Sequence, residues 1–160
     1  MAEQDLRKQL YASFKNRALM YYHIFAELQK EIGEERAVKI MKRAINKRGH
    51  QIGQQFAKHA PSDLEGLKAA FLDSIPDEGR MFEPEVLRSD AGCVEIKFHR
   101  CPLKEAWQEA GLRAEEVAKM TEIASSVDYG TFEGAGFTFS AETWKPGQEG
   151  CCHLIIRPGK

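Results

Sequence analysis

The apolar residues of this chain keep a helical period through Leu72 and take up a period of two only after residue 85. Leu6, Leu10, Phe14, Tyr21, Ile24, Phe25, Leu28 and Ile32 fall three, four or seven apart. Ala37, Ile40, Met41, Ala44, Ile45, Ile52 and Phe56 continue the pattern, and Leu64, Leu67, Phe71 and Leu72 make a shorter stripe. These spacings predict helices over residues 2–32, 34–59 and 62–75. Gly33 stops the first, and Glu34 and Glu35 suit the positive end of the second. Ser62, with Glu65 three residues on, reads as a capping box for the third.

Later, Val94, Ile96 and Phe98 alternate with Glu95, Lys97 and His99, and Phe137, Phe139 and Ala141 alternate with Thr138 and Ser140. Strands are expected at about 85–90, 93–100, 137–141 and 151–157. Pro102, which fits a first helical turn, and the spacing of Leu103, Ala106, Trp107 and Ala110 predict a helix at 102–110. Another is expected over 113–126. Helices first and antiparallel strands last argue an α+β fold. The N-terminal helices would pack on one face of a roughly four-stranded antiparallel sheet, with two helices inserted between strands. At 160 residues the chain suits a single domain, 1–160, helical over about 2–75 and strand-rich over about 85–158.

Five glycines need a reason. Gly49 and Gly53 interrupt the second helix, each at a cost of about 1 kcal/mol relative to alanine. Close helix packing is one explanation and close approach to a ligand the other. Gly130, Gly134 and Gly136 make the stretch from Asp128 read as a loop with unusual backbone freedom.

Charge excludes several functions. Acidic and basic residues nearly cancel at a net −1, which argues against nucleic acid or an anionic membrane as partner. No stretch of 18 apolar residues occurs, and MAEQDLRKQL is charged rather than signal-like, so a cytoplasmic location is expected. In that setting Cys93, Cys101, Cys151 and Cys152 are expected as reduced thiols.

Candidate chemistry gathers where the second strand runs into a helix, a usual place to build a site. Alternation places His99 and Cys101 on one face at the strand's end. Cys101 precedes a helix start, where free amides and the dipole favour a thiolate nucleophile. His99 would move a proton, and Asp128 would orient a base or activate water. The plainer alternatives are a small buried hydrophobe at Cys101 and a turn residue at Asp128. In the last strand Cys151 and Cys152 point oppositely, so one is expected inside and the other outside. H-x-C on one strand and C-C-H on another supply a possible zinc set, although neither has the spacing of a recognised site. On the first helix Arg17 and Tyr21 lie four apart, with Tyr22 beside them, and could clamp a carboxylate. Arg48 could serve similarly, and Tyr129 and Cys152 could touch the same ligand.

Four blocks then carry a resemblance. FKNRALMYYHIFAELQKEIGEERAVKIMKRAINKRG, RCPLKEAWQEAGL, ASSVDYGTFEGAGFTFS and GCCHLII resemble, in order and spacing, the L-2-amino-thiazoline-4-carboxylic acid hydrolase family. The likeness runs from about residue 10 to 156. It implies a hydrolase that opens a cyclic isothiourea with water to give a carbamoyl-cysteine, on a small carboxylate substrate. Apart from the resemblance, no cofactor is expected of the chain, and a homodimer is the assembly allowed for. A looser likeness joins the chain to four-vinyl-reductase-like domains and the transport-particle subunit fold. That one implies a small-molecule pocket between helices and sheet, and a rival function, binding without turnover.

Overall fold

A computed structural model describes residues 2–160. Six α-helices and four strands follow one another along the chain. Helix α1, Ala2–Ile32, ends where Gly33 takes φ +84°, a conformation glycine adopts without strain. Helix α2 is Glu34–Gly53, and a 3-10 turn, Gln54–His59, extends it. Helix α3, Leu64–Asp73, is capped by Asp63 rather than by Ser62: the Asp63 carboxylate accepts the Gly66 amide at 2.9 Å. The helix begins one residue later than the capping-box pattern suggested, which moves the cap along with it.

Strand β1, Pro84–Ser89, and strand β2, Val94–Phe98, form a hairpin. Asp90 holds its turn by accepting the amides of Gly92 at 2.8 Å and Cys93 at 3.0 Å. Helices α4, Pro102–Glu109, α5, Ala114–Ala124, and α6, Ser126–Ala135, come before β3, Thr138–Glu142, and β4, His153–Arg157. The sheet order is β1-β2-β4-β3 and every pairing is antiparallel. The fold is therefore α+β, with N-terminal helices on a four-stranded antiparallel sheet. Val94, Ile96, Phe98, Phe139, Leu154 and Ile156 make the buried inner face of the sheet, as the period-two pattern requires.

Residues 128–135 are helix, not loop. Gly130 and Gly134 lie on the side of α6 that presses against α2, and Gly49 and Gly53 receive them. A Cβ on Gly53 would stand 2.3 Å from the Thr131 carbonyl oxygen, and one on Gly134 would meet His50 at 2.8 Å. Both glycine pairs thus serve close helix packing. The helical propensity they forfeit is offset by contact that no larger residue allows. Three helices, not two, consequently separate β2 from β3.

Candidate active site

Strand β2 stops at Phe98 because its neighbour changes there. The Phe98 amide donates to the Cys152 carbonyl at 2.8 Å, and the Cys151 amide donates to the Phe98 carbonyl at 2.9 Å. Beyond it, the amides of His99 and Arg100 bond Glu83 and Phe82 instead of a strand. Cys101 then caps α4 with an extended backbone, φ −148°, and Pro102 takes the first turn. Trp107 fastens α4 to α1 through its indole N–H, 2.8 Å from the Ala18 carbonyl.

Between this junction, α1, α3, α5 and α6 lies a cavity of about 200 Å³, room for roughly seven waters. Aromatic rings of Phe14, Phe71, Phe82, Phe98 and Trp107 form much of its wall. The polar exceptions are few. Cys101, Cys151 and Cys152 line it from the end of the sheet, Asp128 from α6 and Arg17 from α1. The Asp128 carboxyl has no side-chain or backbone partner among the described residues, and burial raises it from the ordinary carboxylate value to about 7. Arg17 lies over the Phe14 ring, 4.4 Å from its centroid, with no ion pair among the described residues.

The thiols divide into a better and a poorer acid. Hydrogen bonding from Cys151 lowers the Cys101 thiol, burial opposes it, and the amides of Lys104 and Leu103 and the Lys104 charge assist. Cys151 is raised as the donor, bonded toward Cys101 and Cys152 and buried as well. Cys151 and Cys152 sulfurs approach to 2.8 Å as free thiols.

The hydroxyls around the cavity have spent their protons elsewhere. Ser74 donates to the Phe71 carbonyl at 2.6 Å, Thr121 to Val117 at 2.8 Å and Ser125 to Glu122 at 2.6 Å. Each presents the cavity with lone pairs alone. These hydroxyls therefore accept hydrogen bonds, and apart from the thiols the strong donors of the lining are Arg17 and the protonated form of Asp128.

Of the residues singled out in the sequence, Cys101, Asp128, Arg17 and Cys152 come together in this cavity. His99 does not. Its Nε2 lies 2.6 Å from Glu85 on the open face of the sheet. Alternation places two residues on one side only while the strand lasts, and β2 ends before either of them. Tyr21 packs against the core, and Tyr22 lies beside His23 with ring centroids 5.5 Å apart. Arg48 is exposed and donates to Gln51 at 3.1 Å. Tyr129 accepts the Ala141 amide at 3.2 Å and faces a separate open groove of about 870 Å³ that has no thiol. Cys151 and Cys152 are both buried, against the expectation of one inside and one outside, because β4 begins only at His153. His99 and His153 stay on the other side of the sheet from the cysteines of the cavity. No group of three or more His, Cys, Asp or Glu among the described residues is arranged to hold a metal ion.

Sequence reasoning passed over Ser74, Thr121, Ser125 and Lys104. The hydroxyls are signalled only by lying near helix ends. Lys104 stands at the margin of the apolar stripe of α4, where a largely buried lysine is unexpected; its ammonium donates to the Gly150 carbonyl and lies 5.3 Å from the Trp144 ring centroid.

The fold has known counterparts. A crystal structure of trafficking protein particle complex subunit 3 from Naegleria fowleri, covalently bound to palmitic acid, superposes with a TM-score of 0.53. Identity is 14%, over 93% of this chain and 96% of that one. The phenol-responsive sensory domain of the transcription activator PoxR, in complex with phenol, gives a TM-score of 0.54 at 17% identity, over 88% of this chain and 73% of that one. At such identities the likeness is one of fold. No curated protein matches the sequence. The model of the L-2-amino-thiazoline-4-carboxylic acid hydrolase family, however, matches residues 13–155, nearly the whole chain from the middle of α1 to β4. The chain belongs to that family.

Proposed function

We propose that the chain hydrolyses a small cyclic amidine or isothiourea bearing a carboxylate, with Cys101 as nucleophile, Asp128 as proton carrier and Arg17 as the carboxylate's partner. One observation carries the reading: Cys101 and Asp128 line the same cavity, with Arg17 in its wall. The acceptor-rich lining supports it, because an amidine presents N–H groups to Ser74, Thr121 and Ser125 and leaves none of those lone pairs idle.

The chemistry balances with these residues. The Cys101 thiolate adds to the amidine carbon between nitrogen and sulfur, forming a tetrahedral adduct. The ring C–S bond breaks, and the departing sulfur takes the Asp128 proton. The substrate is then held on Cys101 as an isothiourea with a free thiol. Asp128, now a carboxylate, accepts a proton from water as that water attacks the same carbon. Expulsion of the Cys101 thiolate releases the carbamoyl product. An acid near pH 7 suits both steps, since it is available in either form.

The experiment is to incubate the pure protein with 2-aminothiazoline-4-carboxylate and titrate released thiol, while intact mass is followed in the first turnovers. A transient adduct of the full substrate mass on Cys101 is expected. Ring opening at the wild-type rate by Cys101→Ala would end the proposal. A second reading, binding without turnover, is supported by the aromatic wall and by the phenol-binding fold neighbour. It predicts thermal stabilisation by a ligand that is never consumed.

A further inference from the structure

Three of the four cysteines line one cavity, and catalysis as proposed needs only one of them. The Cys151 and Cys152 sulfurs are already within about 1 Å of the ~2.05 Å length of a disulfide. Their backbone is fixed opposite Phe98 by the two bonds that end β2, and both line the cavity with Cys101. The fourth thiol, Cys93, stands at the opposite end of β2, before Val94.

We propose that Cys101, Cys151 and Cys152 form one hydroperoxide-sensitive centre, in which oxidised Cys101 is captured by Cys151 and the new bond is passed on to the Cys151–Cys152 pair. The Cys101 thiolate attacks the outer oxygen of a hydroperoxide, the O–O bond breaks, and the departing alkoxide or hydroxide takes up the proton the thiol had released and leaves as an alcohol or water. Cys101 becomes a sulfenic acid. The Cys151 sulfur then attacks the Cys101 sulfur, and water departs with the Cys151 proton, leaving a Cys101–Cys151 disulfide. Cys152 attacks the Cys151 sulfur in turn, its proton going to the released Cys101. Two electrons have moved from the Cys151–Cys152 dithiol to the peroxide. The nucleophile emerges reduced, protected from the irreversible acids further up the oxidation ladder. The inference rests on the reading of Cys101 as the reactive thiolate, and its polarised environment supports that order of attack.

The test uses the whole, fully reduced chain and a few equivalents of hydrogen peroxide, followed by alkylation after denaturation and peptide mapping. Alkylatable cysteines should fall from four to two, namely Cys93 and Cys101, and the intact mass should drop by two hydrogens. In Cys152→Ser the disulfide should stop between Cys101 and Cys151. In Cys151→Ser, Cys101 should stop at a sulfenic acid that dimedone captures. Wild-type protein in which Cys101 goes to sulfinic acid while Cys151 and Cys152 remain alkylatable would overturn the inference. So would oxidation of Cys93 at the same rate. The test contains no substrate, so its failure is separable from failure of the hydrolase. Loss of ring opening in Cys101→Ala, with no disulfide in peroxide-treated wild type, sinks only the redox centre; the Cys151–Cys152 disulfide in wild type, with full ring opening in Cys101→Ala, sinks only the hydrolytic mechanism.

Discussion

Gly130 rests against Gly49 with no room for a methyl group between the two helices. A Cβ on Gly49 would stand 2.9 Å from the Gly130 Cα and 2.2 Å from the Val127 carbonyl oxygen; a Cβ on Gly130 would stand 2.2 Å from the Asn46 carbonyl oxygen. The contact also aims the candidate acid. Two residues on a helix are about 200° apart, so pinning Gly130 to α2 turns Asp128 away from α2 and into the cavity. Gly130→Ala is accordingly expected to cost about 2–3 kcal/mol, because the obstructing atoms are backbone. Gly92→Ala, whose Cβ would meet only Asp90 at 3.4 Å, is expected to change stability by less than about 1 kcal/mol. Urea unfolding of the two variants beside wild type measures the difference; equal losses would contradict the packing account.

Substitutions at the cavity should separate by role. Cys101→Ala is expected to lower kcat for ring opening by about 10³-fold or more, and Asp128→Asn by about 10²–10⁴-fold. The double variant should be little worse than Cys101→Ala, since both residues act in one sequence of steps. His99→Ala removes only an exposed pair with Glu85 and should leave kcat within about threefold. Steady-state kinetics on refolded, spectroscopically normal protein decides among them.

Arg17 should behave as a binding group. A charge-assisted pair with a carboxylate is worth about 1.5–3 kcal/mol, so Arg17→Met is expected to raise KM about 10–100-fold with kcat nearly unchanged. A substrate analogue lacking the carboxylate should bind wild type and variant alike. If the variant instead loses kcat at constant KM, Arg17 is not the carboxylate's partner.

The architecture was legible because period is a backbone property: side chains every three or four residues, or every second, report which elements exist and which way each faces. That is how α1 to α5 and the four strands could be placed. Helix α6 was not legible, since its glycines signal freedom when read locally and close contact only when Gly49 and Gly53 are seen opposite them. Part of the site followed the same division. Cys101 was readable from a strand, a proline and a helix in succession. His99 keeps the face of Glu95 and Lys97, as alternation requires; extending that alternation past Phe98, where the Cys152 carbonyl ends the ladder, wrongly joined Cys101 to it. Cys151 and Cys152 were split between two faces by the same extension backwards from β4. Thr121 and Ser125 matter through where their protons already point, which no spacing records.

The half-buried acid in the cavity makes the last prediction, one of pH. Burial raises Asp128 from 3.8 to about 7. For kcat/KM the acid must be protonated, so the rate should fall above about pH 7, and Asp128→Asn should lose that limb along with most of its activity. Stability carries the same signature with a definite sign. Between about pH 4 and 7 the folded chain keeps a proton on Asp128 that the unfolded chain has released, so this group makes the fold less stable as pH rises and adds no further change above pH 7. A gap that wide is worth about 4 kcal/mol at most, and partial access of cavity water to the carboxyl reduces it toward about 2 kcal/mol. Asp128→Asn has no such proton to lose. The stability difference between variant and wild type should therefore be small near pH 4, grow through neutrality in the variant's favour, and level off by pH 8. Urea unfolding at several pH values across that range reads it directly, and parallel curves for the two proteins would show that Asp128 ionises as an ordinary exposed carboxylate.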